Sequence, residues 1–85
     1  MTRDELILAW RPDTQESMLE LAATCAIADH GAMPDHLISA ASTGLAQGVF
    51  GDEYEAADYG QRRLWDEMAE HAYRRMLAVY RRVQH

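Results

Sequence analysis

Apolar positions in this chain recur mostly at helical spacing, and no alternating β-branched run argues for a strand. The stretch 14–30 places Met18, Leu21, Ala22 and Cys25 on one stripe, and Leu19, Ala23, Ala26 and Ile27 widen that stripe almost all round. A helix that apolar is expected to sit centrally. The stretch 34–48, "PDHLISAASTGLAQG", is rich in small residues. Gly48 is expected to end it, with close backbone approach at Gly44 and Gly48 as the alternative. In the last third, Trp65, Met68, Ala72, Met76, Val79 and Val83 step along one face of a long helix.

Punctuation sets the boundaries. Thr2–Glu5, Asp13–Glu16 and Asp52–Glu55 each place a capping oxygen three residues before a carboxylate, the pattern of a helix N-terminus. Pro34 suits a first helical turn and Gly31 the end of the preceding helix. The prediction is an all-α fold forming one domain over residues 1–85. Its three main helices span about 14–30, 34–48 and 53–83, after a short helix at 3–10. Gly60 is expected to bend the last one, since glycine costs a helix interior about 1 kcal/mol relative to alanine.

Charge divides the chain more sharply than its total of −6 suggests. Residues 1–60 hold 11 acids and two arginines, whereas residues 61–85 hold six arginines and three acids. All eight basic residues are arginine. Arg63, Arg74 and Arg81 lie almost opposite the apolar seam, and Glu70–Arg74 and Asp58–Arg62 are spaced for i, i+4 ion pairs. Arg74, Arg75, Arg81 and Arg82 form the candidate anion or nucleic-acid contact, with Tyr73 and Tyr80 interleaved as stacking residues. Net negative charge opposes general nucleic-acid affinity, because phosphate neutralisation supplies most of it.

Candidate chemistry is sparse. Cys25 is the only cysteine, which excludes an intrachain disulfide and points to a reducing, cytoplasmic setting. Acids within the apolar run of "MTRDELILAW" argue against a secretory signal, and no run approaches the ~20 residues that span a bilayer. Glu67 and His71 share a helix face beside Asp66 and Glu70, and Asp29, His30, Asp35 and His36 bracket a turn. Neither group has the ligand arrangement of a metal site, so no metal or cofactor is expected, a metal- or cofactor-bearing subunit being the third alternative. Without a phosphate loop or nucleophile elbow, the chain is not expected to be an enzyme.

A contact function remains. In "GVFGDEYEAADYGQ" the acids Asp52, Glu53, Glu55 and Asp58 surround Phe50, Tyr54 and Tyr59. Aromatic anchors among steering charges suit a patch that docks on a basic protein partner. The expectation is therefore a non-catalytic protein-binding module: a small regulator, inhibitor or accessory subunit. One concrete form is a phage or mobile-element inhibitor of a nucleic-acid enzyme, and the alternative is a nucleic-acid-associated regulator acting through the arginines. A 45 Å final helix would outrun two partners of about 25 and 22 Å at 1.5 Å per residue. Met76, Val79, Tyr80 and Val83 are accordingly expected to support a homodimer.

Overall fold

The computed structural model describes residues 12–83, with side chains from residue 16 onward. Four helices follow one another: α1 (Pro12–Ala28), α2 (Asp35–Phe50), α3 (Asp52–Ala56) and α4 (Tyr59–Val83). There is no strand among the described residues, and the three long helices form a small all-α bundle. The helix expected at 3–10 lies outside the described residues, as do the Thr2–Glu5 cap and the side chain of Asp13.

Directions follow from side-chain contacts. Leu21 of α1 lies against Gly48 of α2, so these two helices run antiparallel across the turn at 29–34. Phe50 stacks on Trp65 with ring centroids 4.1 Å apart, and the Ser39 hydroxyl donates to Glu70 Oε1 at 3.1 Å. The helices α2 and α4 are therefore antiparallel as well. That leaves α1 and α4 parallel, with both of their C-terminal ends at one end of the bundle.

The turn after α1 is a Schellman motif built on an unusual residue. The Gly31 N–H donates to the Ala26 carbonyl at 2.9 Å and the His30 N–H to the Ile27 carbonyl at 3.1 Å. That pairing satisfies carbonyls the helix end would leave open. It requires a left-handed residue at the first position past the helix, and His30 fills it with φ 55°. Gly31, at φ 65°, also lets the chain approach α4 closely. A Cβ there would sit 2.6 Å from Tyr80 Cδ1, and Arg81 Nε donates to the Gly31 carbonyl at 2.9 Å.

Three expectations about the helices need correction. The small-residue helix runs through Gly48 to Phe50 and ends at Gly51, φ 54°. Gly48 instead admits Leu21, whose Cδ2 lies 3.0 Å from where a Cβ would be. The final helix is not continuous from 53. It breaks at Ala57 and Asp58, ahead of Gly60, because Asp58 Oδ1 accepts the Gln61 N–H at 2.8 Å and starts a new helix. Arg62 closes the preceding turn, its Nε donating to the Tyr54 carbonyl at 2.9 Å and its Nη2 to that of Glu55. The expected Asp58–Arg62 ion pair is thus replaced by backbone capping.

The core face of α4 keeps Trp65, Met68, Ala72 and Met76 of the predicted seam, buried or packed on the core, but turns away from its C-terminal members. Met68, Ala69, Ala72, Tyr73 and Leu77 are the buried residues, and Val79 and Val83 are exposed. A helix that packs broadly on two neighbours needs a wider face than one stripe, and α4 packs on α1 and on α2 more extensively than those two pack on each other. Centrality belongs to α4, not to α1, whose Ile27 is 62% exposed.

Candidate functional site

The acidic stretch forms the corner where α2 turns through α3 into α4, and its aromatic residues divide. Tyr54 is only 6% exposed. Its hydroxyl donates to Asp66 Oδ1 at 2.8 Å, and the Arg62 guanidinium lies 5.7 Å from its ring centre. Burial first, then the hydrogen bond to Asp66, pushes the Tyr54 phenol above its ordinary value. Phe50 is half-buried in its stack on Trp65. Both residues therefore serve the fold and are not surface anchors.

Tyr59 differs. It is 76% exposed, at the first turn of α4. Asp52, Glu53, Glu55 and Asp58 are exposed around the same corner. Asp58 is engaged as the cap of α4. Neither ion pair found among the described side chains, Arg63–Glu67 or Arg74–Glu70, uses an acid of this corner. What the corner offers is one projecting phenol ring within a field of carboxylates.

The arginine cluster divides too. Arg74 Nη2 lies 3.2 Å from Glu70 Oε1, as the i, i+4 spacing predicts. Arg81 is spent on the Gly31 carbonyl. Arg75 and Arg82 are exposed and enter no ion pair or hydrogen bond among the described residues. Tyr73, considered above as a stacking residue, is 1% exposed, and its hydroxyl donates to Asp29 Oδ2. Tyr80 packs against Gly31. No continuous basic and aromatic surface results among the described residues.

The His and acid clusters come apart in the same way. Asp29 binds Tyr73, His30 holds the turn, and Asp35 lies in the first turn of α2. Among the described residues, no three His, Cys, Asp or Glu side chains stand close enough to hold a metal ion. Burial, and then the Asp29 carboxylate, raises the Cys25 thiol above its ordinary value, which keeps it protonated and poorly nucleophilic. No described helix is long and apolar enough to cross a membrane.

The residues expected to support self-association do meet. Met76, Val79, Tyr80 and Val83 line an open groove of about 190 Å3, and α1 contributes Ala23 and Ile27 to its other wall. The α1 wall could not be located from the sequence, since it depends on α1 and α4 running side by side. Ala23 and Ile27, four residues apart, were nonetheless legible as neighbours on one helix face. Compared with known protein families, curated proteins and solved structures, the chain matches none.

Proposed function

We propose that this chain is a non-catalytic protein-binding module that docks on a basic partner surface through the acidic corner at α3. The observation that supports it is Tyr59, 76% exposed among carboxylates that form no ion pair with a described residue. A tyrosine ring supplies contact area at low entropic cost, and the surrounding charges speed encounter with a basic surface. Glu53 and Glu55 are the steering residues, because Asp58 is committed to capping α4. A regulator, an inhibitor or an accessory subunit would all use such a surface.

Affinity capture from the native host, run in parallel with wild type and Glu53→Gln/Glu55→Gln/Tyr59→Ala, tests the reading. A basic protein should co-purify with wild type and be lost with the variant. The purified pair should then associate more slowly as salt rises. A partner that binds the variant equally well removes the acidic corner from consideration. The nucleic-acid alternative has less support, since Arg74 and Arg81 are already engaged within the fold.

A further inference from the structure

Arg75 and Arg82, which enter no ion pair or hydrogen bond among the described residues, stand seven residues apart on α4. Val79 lies between them at i+4, so the three form one row two turns long. That row edges the apolar groove lined by Ala23 and Ile27 of α1 and by Met76, Val79 and Val83 of α4. Ile27 is 62% and Val83 75% exposed. The groove is therefore a strip of apolar surface between two parallel helices, with a cationic edge along α4.

Such a strip has the form of an unfilled position in a helical bundle. The helix α2 contacts both α1 and α4, and Ala23 keeps the α1 wall of the groove low enough for a further helix to approach closely. Helix-in-groove recognition takes apolar side chains at i, i+3 or i+4 and i+7. Carboxylates two turns apart on the incoming helix match the spacing of Arg75 and Arg82, and each could take a paired, charge-assisted hydrogen bond.

We infer that this groove docks an amphipathic helix of a protein partner, whose apolar stripe fills the groove and whose acidic flank meets Arg75 and Arg82. The inference does not depend on the acidic corner, which lies at the opposite end of α4. A second copy of this chain in the antiparallel two-fold arrangement fits less well. Packed groove to groove in the antiparallel sense, α4 would lie along α4 and bring the two Arg75–Arg82 rows together, and facing like charges are unfavourable.

The test is selection of displayed peptides of about 16 residues against the full chain, with Val79→Asp as the counter-target. Enriched peptides should carry the helical apolar stripe with Asp or Glu two turns apart on one flank. In fluorescence anisotropy, the leading synthetic peptide should bind Arg75→Glu/Arg82→Glu about tenfold or more weakly than wild type. It should bind Glu53→Gln/Glu55→Gln unchanged. All of these positions are exposed, and circular dichroism checks that each variant stays helical. Peptides without an acidic flank, binding indifferent to Arg75→Glu/Arg82→Glu, or no enrichment over Val79→Asp would each overturn the inference. So would sedimentation equilibrium showing a micromolar dimer that Val79→Arg reduces to the 9.7 kDa chain, since a second copy would then be the occupant.

Discussion

Replacing Tyr73 by Phe removes one hydroxyl from the most enclosed large side chain of the bundle and leaves the ring in place. No cavity of consequence forms, so the cost is that of the hydrogen bond to Asp29. Bonds to a charged partner contribute about 1.5–3 kcal/mol. Asp29 is half-buried, at the end of α1, so water can partly replace the lost donor and the lower end applies. We expect a loss of about 1.5 kcal/mol at pH 7, from a total of about 4–13 kcal/mol for 85 residues. The variant carries a second signature in alkali. Burial, then the Asp29 hydrogen bond and charge, raises the Tyr73 phenol well above its ordinary value near 10. The folded state thus keeps a proton that the unfolded state releases. The stabilisation is complete below pH 10 and is lost as pH rises above it, by up to about 1.4 kcal/mol per pH unit. Tyr54 and Cys25, also raised, add slopes of the same sign, so Tyr73→Phe should remove part of the alkaline decline and leave the rest. Urea melts followed by circular dichroism at pH 7 and from pH 9 to 11.5 measure both effects. A neutral-pH loss below about 0.3 kcal/mol together with an unchanged alkaline slope would refute the assignment of Tyr73 to the core.

Two further substitutions probe local structure. Trp65→Ala removes the stack on Phe50 and the tilted contact with Tyr54 at 6.2 Å. Because Trp65 is half-buried, the expected cost is about 2–3 kcal/mol, below the 3–5 of an enclosed aromatic, and a thermal melt within a few degrees of wild type would contradict it. His30→Gly relieves a left-handed backbone and should raise stability by about 0.5–1 kcal/mol in urea melts. A destabilised variant would mean that the His30 side chain contributes more than its backbone strain costs.

The all-α class and the three long helices were legible because glycine, proline and capping residues mark the turns. The break at Ala57 was missed although its signal is present: Asp58 precedes Gln61 by three residues, the spacing of a cap. It was hidden because Asp52–Glu55 offered a competing start six residues earlier, and both starts are used. The turn of the α4 core face away from the C-terminal seam residues had a different cause. The positions from Trp65 to Val83 make a regular stripe, but they describe a helix with one partner. Tyr73 and Leu77 lie outside that stripe and are buried only because α4 has two partners. The same blindness applies to Tyr54, whose inward position depends on Asp66 and Arg62 one helix later. Periodicity finds the faces of helices, whereas the number of neighbours decides how wide each face must be.

That α4 supplies the packing surface for both α1 and α2 has a consequence for how the protein is made. The contacts of Gly31 with Tyr80 and Arg81 join residues about fifty positions apart. During synthesis, α1 and α2 are made before the helix that holds them together. At about 5–20 residues per second, residues 59–83 take about one to five seconds to add. Until α4 is complete and released, Met18, Ile38 and Leu45 lack the helix that covers them in the folded bundle. Folding of the bundle therefore waits on its last helix, and the apolar faces of α1 and α2 stay incompletely covered until that helix arrives.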